Sequence, residues 1–256
     1  MSERTARILE EVLSRGRVPV AWLSDSLAAS PATIRRDLVA LERKGLLRRI
    51  HGAAVAAEPV LDKSYHSDSQ FQAQMQHMAE EKRRIGVVAA KLVEDGMVIA
   101  FGAGTTTTQV ARALRPARDV TVVTNSIGIS LELARRDDLR IFVSGGYLHG
   151  GWFSLTGTHA VEALRGFCID LLFLSVAGID ARRGFTESHT EEAFINRILL
   201  KQARRKVVVA DHTKMGLVAH HVLCPLEEID LLITDRAASR SHLSQWKKKG
   251  LEVQTA

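Results

Sequence analysis

Cysteine is scarce in this sequence of 256 residues: Cys168 and Cys224 are the two present, far apart and in no C-x-x-C pair. A disulfide framework or a cysteine-based zinc site has nothing to be built from, and the expected compartment is a reducing cytoplasm. No apolar run approaches the ~20 residues of a membrane span. The opening Met1–Arg7 segment is charged and carries no apolar core of a signal peptide. Histidine occurs ten times but scattered, and the adjacent pair His220-His221 lacks a metal-ligand spacing. A G-x-S-x-G elbow, a Walker A lysine loop and a G-x-G-x-x-G turn are all missing, so the serine-hydrolase and common nucleotide readings find no support. There is no internal repeat and no low-complexity tract. Neither a metal nor a cofactor is expected.

What is present is a globular composition with a basic excess. Hydrophobic residues make up 46% and charged residues 25%, far from the disordered regime. The net charge is +6 and the pI near 9.6, which points to a polyanionic partner. At ~100–200 residues per domain, the length fits a small domain joined to a medium one. Up to Ala57 ten Lys and Arg face six acids, so this fifth of the chain holds +4 of the +6. The basic excess sits at the N-terminus.

That first segment reads as three short helices and a hairpin. Ile8, Leu9, Val12 and Leu13 recur at helical spacing, with Gly16 as a stop. Val18-Pro19-Val20 is extended, and its proline suits a sheet edge. Trp22, Leu23 and Leu27 line a second helix. Ser30 is a good N-cap, and Pro31 fits the first position of a third helix running to about Lys44. Ile34, Leu38 and Leu41 face inward on it, leaving Thr33, Arg36 and Ala40 opposite and Arg35 on the flank. This is a helix-turn-helix pattern. An arginine there can bond guanine bidentately, and a threonine can touch a thymine methyl or a phosphate. After Gly45, the residues Arg48, Arg49 and His51 fall where a β-wing would lie on the DNA backbone. The expected partner is double-stranded DNA, met by Ser30, Pro31, Thr33, Arg35, Arg36, Arg48, Arg49 and His51.

From Ala53 to about Glu80 the texture is that of a connector, and the expected division is residues 1–57, a linker 58–80, and a domain 81–256. From Glu81 on, apolar strand-like runs alternate with amphipathic helices, which means crossover connections and a mainly parallel, helix-covered sheet. Five strands run into polar or glycine-rich turns: Gly102-Ala103-Gly104-Thr105-Thr106, Asn125-Ser126, Gly145-Gly146, Gly178-Ile179-Asp180 and Asp211-His212-Thr213-Lys214. In an open parallel sheet such ends share one rim, where ligands bind. The first turn sets glycines and threonines before a helix N-terminus, a ready anion site. A small phosphorylated ligand is the expected occupant.

Ser30-Pro31-Ala32-Thr33-Ile34-Arg35-Arg36-Asp37-Leu38, with Gly45-Leu46-Leu47-Arg48-Arg49-Ile50-His51-Gly52 after it, resembles the winged helix-turn-helix of the DeoR-type bacterial transcriptional regulators. Later segments match in order: Asp95-Gly96, Gly104 to Thr107, Thr124-Asn125-Ser126, Gly145-Gly146, Gly178-Ile179-Asp180 with Gly184-Phe185-Thr186, and Asp211 to Lys214. The resemblance implies an α/β, Rossmann-like sensor domain related in fold to ribose-5-phosphate isomerase. It implies a phosphorylated sugar or related metabolite as effector. The effector residues it suggests are Gly102, Gly104, Thr105, Thr106, Thr107, Asn125, Ser126, Gly145, Gly146, Asp180, Thr186, Asp211 and Lys214.

The leading expectation is a metabolite-controlled regulator, a repressor, acting as a homodimer or homotetramer because one small module reads too few base pairs. The alternative is a sugar-phosphate isomerase or transferase with an appended DNA-binding module. Aldose–ketose isomerisation needs a base beside groups that stabilise an enediolate. The related isomerases carry a second aspartate three positions after the one matching Asp180, and Arg183 stands there. The pocket is therefore expected to bind without turnover, with Asp180, Glu187 and Glu191 able to bond ligand hydroxyls.

Overall fold

The first helix begins and ends where its local chemistry dictates. In the computed structural model, which describes residues 2–56 and 70–256, α1 (Glu3–Arg15) is capped by Ser2, whose hydroxyl accepts from the Thr5 amide at 3.2 Å. Gly16 stops it at φ +74° and returns its N–H to the Val12 carbonyl at 2.9 Å, a conformation that favours glycine. α2 (Val20–Ser26) and α3 (Pro31–Arg43) follow. Ser30 caps α3 through the Thr33 amide at 3.2 Å, with Pro31 at the first position. Ile34, Leu38 and Leu41 are buried together with Ile8, Leu9, Val12 and Leu23.

β1 (Arg17–Pro19), β2 (Leu47–Ile50) and β3 (Ala53–Ala56) form an antiparallel sheet in the order β1–β3–β2. Pro19 is on an edge strand, as its missing donor requires. The centre of the sheet is Ala53–Ala56, which the sequence reading placed at the start of the connector. Four residues, three of them alanine, show no alternation, so nothing local marked them as a strand. The stretch 57–69, which holds most of the expected linker and its Pro59 and Tyr65, lies outside the described residues.

The described residues fall into two compact units, this N-terminal one and a larger C-terminal one. In the second, α4 (Gln70–Gln76) precedes α5 (Ala79–Ala90), a helix that starts well before the expected Ile85. The main sheet has seven strands: β4 (Val98–Phe101), β5 (Val120–Thr124), β6 (Leu139–Val143), β9 (Ile169–Leu174), β12 (Ala203–Val209), β14 (Leu231–Thr234) and β15 (Glu252–Thr255). Their order is β15–β14–β12–β9–β4–β5–β6, and every neighbouring pair is parallel. The connections include α6 (Thr105–Arg112), α7 (Ile127–Leu133), α8 (Thr158–Arg165), α9 (Thr190–Gln202) and α10 (Arg240–Lys247). β4, β5, β9 and β14 bury nearly every residue, as strands covered on both faces do. The doubly wound α/β class is as expected.

Two small sheets were not. β7 (Tyr147–His149) pairs with β8 (Ser154–Thr156), and β10 (Gly178–Asp180), β11 (Gly184–Glu187) and β13 (His221–Cys224) form an antiparallel sheet with β11 in the middle. Gly178-Ile179-Asp180 is thus a strand of a hairpin, where the sequence suggested a turn at the end of a long strand to Ala177. β9 stops at Leu174, and Ala177 already donates to the Thr186 carbonyl at 3.0 Å.

Two helices meet closely at Gly86. A Cβ at that position of α5 would stand 2.6 Å from both the carbonyl carbon and oxygen of Gln109 in α6. Gly86→Ala gains about 1 kcal/mol of helix propensity but overpacks against backbone that cannot step aside, at about 1–3 kcal/mol. The expected net effect is a loss of about 1 kcal/mol, read from the midpoint of urea unfolding. A raised midpoint would contradict the close approach of these helices.

Candidate functional site

The outer face of α3 is basic and open. Arg35 and Arg36 are exposed, and no ion pair or hydrogen bond engages them among the described residues. Ser30 and Thr33 share a hydroxyl contact at 2.9 Å at the helix start. Arg48 and His51 are exposed around the β2–β3 turn. Arg49 is exposed too, but its Nε donates to Glu42 at 2.6 Å. All eight residues expected to meet DNA thus lie on α3, at its cap, or on the wing.

A second candidate site follows from strand order. From β4 the chain winds to β5 and β6 on one side, and from β9 to β12, β14 and β15 on the other. The reversal between β4 and β9 opens a crevice at their carboxyl ends. Gly102 and Gly104 line it: a Cβ at Gly104 would lie 1.8 Å from the Ser175 hydroxyl, and one at Gly102 would lie 2.7 Å from Leu174. Thr107 donates to the Gly102 and Gly104 carbonyls, each at 2.9 Å, and Thr108 to Gly104 at 2.7 Å. Thr105 and Thr106 are buried in the same first turn of α6, whose amides lack carbonyl partners as in any helix start.

The expected rim residues divide by what their side chains do. Asn125 is used at both ends, accepting from Ala103 N and donating to the Leu155 carbonyl, each at 3.2 Å. The Ser126 hydroxyl accepts from Ile129 at 3.2 Å and so caps α7. Thr186 donates to Gly178 at 3.1 Å and accepts from Ala219 at 2.9 Å. The Asp180 carboxylate accepts from the Arg182 and Arg183 amides, both at 2.8 Å, which closes the β10–β11 turn and holds its pKa below the ordinary value. Gly146 faces Thr156, and Gly145 has open space where a side chain would go.

Asp211 and Lys214 keep different company. Asp211 is wholly buried; its Oδ1 accepts from Thr213, while its Oδ2 has no partner. Its charge acts on Lys82, as does that of Lys214. Lys82 is 1% exposed, and Nζ donates to the Gln74 carbonyl at 2.5 Å. Burial pulls its pKa down to about 8, against the opposing pull of Asp211. Lys214 also feels Glu187, whose carboxyl burial pushes up to about 7, with Glu192 adding to the rise. Glu192 accepts from Ser154 at 2.7 Å, and His149 stands 3.8 Å from it. His189 packs between His149 and Trp152, whose buried indole N–H has no partner. A buried ammonium, an unpaired carboxylate oxygen and one carboxyl with a raised pKa make this cluster a candidate polar site.

Comparison with known proteins identifies the family. Residues 4–60 match the DeoR-like helix-turn-helix domain, and residues 77–236 match the DeoR C terminal sensor domain. The chain belongs to the DeoR family. It is similar to the HTH-type transcriptional repressor GlcR of Bacillus subtilis (strain 168), 32% identical over 98% of this chain and 95% of that one. The HTH-type transcriptional regulator GlpR of Haloferax volcanii is 35% identical over 98% and 96%. Among solved structures, the full-length sorbitol operon regulator SorC of Klebsiella pneumoniae aligns over 90% of this chain and 94% of its own, at 13% identity and a TM-score of 0.45. A likeness that low says nothing of the site.

Within this DeoR chain, Lys82 and Glu192 are members of the candidate site that the sequence did not suggest. Lys82 sits in Glu80-Glu81-Lys82-Arg83-Arg84, which looks like a solvated charge run. Its phase was the available signal, since it lies one turn before Ile85 and Gly86 and two before Ala89 on the buried stripe. Glu192 likewise shares a stripe with Ala193, Ile195, Asn196 and Leu199, whereas the neighbouring Glu191 is exposed. On the DNA-facing side, Arg36→Ala is expected to weaken binding to the preferred duplex by about 1–3 kcal/mol and to relax specificity at one base step. Equal losses on preferred and random DNA would make Arg36 a phosphate contact.

Proposed function

We propose that this chain is a transcriptional repressor whose N-terminal helix-turn-helix binds operator DNA and whose crevice takes a phosphorylated sugar or related metabolite that alters that binding. The observation that carries the effector reading is the buried Lys82 ammonium, whose charge interacts with those of Asp211 and Lys214. Buried charges are costly unless something answers them. A phosphate against Lys82, Lys214 and the first turn of α6 answers both ammonium groups and the helix amides. Glu187, Glu192 and His149 are then left for the ligand's hydroxyls. The repressor names of relatives such as GlcR support the regulatory half of the reading.

The crevice binds without turnover in this reading. Asp180 is held by turn amides, and Arg183 stands where an isomerase would place a second carboxylate. Turnover of pentose or hexose phosphates by the purified chain would favour the isomerase alternative. Two winged modules in one homodimer or homotetramer supply the affinity and half-site reading that one module lacks; a monomer by light scattering, with and without operator, would refute this.

An effector changes DNA affinity only by binding the competent and incompetent states unequally. Lys214→Ala is expected to leave operator affinity without ligand nearly unchanged and to abolish the ligand's influence, measured by operator titration with members of a phosphorylated-sugar panel. A wild-type response in that variant would remove Lys214 from the sensor site.

The charge on Lys82 makes the same site sensitive to pH. Its pKa lies at about 8 instead of 10.5, so the ammonium is present at pH 7 and lost above about 8. An anion beside it stabilises the charged form, so binding takes up a proton in the alkaline window. Ligand affinity is therefore expected to fall by up to about tenfold per pH unit above pH 8, and Lys82→Met is expected to weaken binding and remove that dependence. Titration calorimetry at pH 7 and pH 9 decides it, and equal affinities would exclude Lys82 as the anion's partner.

A further inference from the structure

α3 carries two acids, Asp37 and Glu42, in a domain that needs positive charge to meet DNA. Each is gripped by an arginine from another element. Arg4 of α1 donates through Nε to Asp37 Oδ2 at 2.6 Å. The Arg49 amide donates to Glu42 Oε1 at 2.8 Å, and Arg49 Nε donates to Oε2 at 2.6 Å. One carboxylate thus holds both the main chain and the side chain of β2.

Helical phase explains the division of labour. Measured from Ile34 on the buried stripe, Asp37 lies about 60° to one side and Glu42 about 80° to the other, while Arg36 points about 160° away. The acids occupy the two shoulders of the buried face, where α1 and the wing approach. The outward arginines Arg35 and Arg36 remain without such partners among the described residues. The Glu42 carboxyl is held below its ordinary pKa by the Arg49 amide first and by the Arg49 side chain next. An ordinary exposed ion pair does little. Glu42 differs because one of its bonds goes to the main chain, and so sets where the strand lies.

We propose that Glu42 is a positioning residue for DNA binding. It fixes β2 against the C-terminal end of α3, and Asp37 does the same for α1. The wing and the recognition helix are thereby held at one spacing before any duplex arrives. Arg49 belongs to this clamp through its amide and Nε, and keeps its terminal N–H groups for a phosphate. The proposal rests on the DNA-binding reading of the N-terminal unit.

Simple electrostatics gives the opposite expectation for the obvious variant. Removing an acid from a DNA-facing surface raises affinity, because less repulsion opposes the phosphates. The test uses the full chain and a duplex that the wild-type protein enriches from a random-sequence library. Glu42→Gln is expected to bind it roughly three- to fivefold more weakly. The slope of log affinity against log salt stays unchanged, since no phosphate contact is lost. In a double-mutant cycle, the losses from Glu42→Gln and Arg49→Ala are expected to fall short of multiplying. Binding as tight as wild type or tighter, a slope changed by about one unit, or fully multiplying losses would each overturn the proposal. If circular dichroism finds Glu42→Gln unfolded, Glu42→Asp is read in the same way, since it keeps the charge but shortens the reach. A wild-type chain that enriches no duplex overturns the DNA-binding reading itself.

Discussion

Parallel strands cannot be joined by hairpins, and most of the C-terminal unit follows from that constraint. Each strand of the seven must be reached by a crossover, so every strand delivers its carboxyl end to the same edge. The chain winds outward from β4 in one direction and from β9 in the other, and the reversal leaves a crevice at that edge. Gly102 and Gly104 stand at its lip because Leu174, the last residue of β9, and Ser175 just after it leave no room for a side chain. The glycines permit the approach; the strand order creates the need for it.

Charge in the crevice is kept by geometry that works against solvation. Lys82, Asp211, Glu187 and Glu192 are all buried, although folding alone would favour leaving each in water. Some of that cost is met inside the chain, through the Gln74 carbonyl for Lys82 and the Ser154 hydroxyl for Glu192. Part is left open, as the unpaired Asp211 oxygen attests, while the Ser188 amide donates to Glu187 at 2.7 Å. Asn125, Ser126 and Thr186, by contrast, spend side-chain hydrogen bonds on neighbouring main chain.

The N-terminal unit is built on shorter-range rules. Ser2 and Ser30 cap their helices, Gly16 ends one, and Pro31 opens another. These choices act within a single turn, which is why they could be read one after another along the chain. Its sheet is different. β3 owes its central place to pairing with residues more than thirty positions earlier, at Arg17 to Pro19.

What the sequence determined by itself is therefore local or periodic. The inward phase of Ile34, Leu38 and Leu41, the alternation of apolar runs with helices, and the exposed pair Arg35 and Arg36 were all legible, because each depends on neighbours within a few residues. The glycine and threonine turn from Gly102 to Thr107 was legible too, as was the placing of Asp211 and Lys214 in one turn. Tertiary structure alone decided which polar side chains are spent on the fold. It turned Asp180 into a hairpin closer and Asn125 into a staple, and it brought Lys82 to Asp211 across some 130 residues of sequence. The physical reason is desolvation. Whether a charge is solvated or buried depends on what packs over it, and for Lys82 that is set by distant strands and helices outside any local pattern.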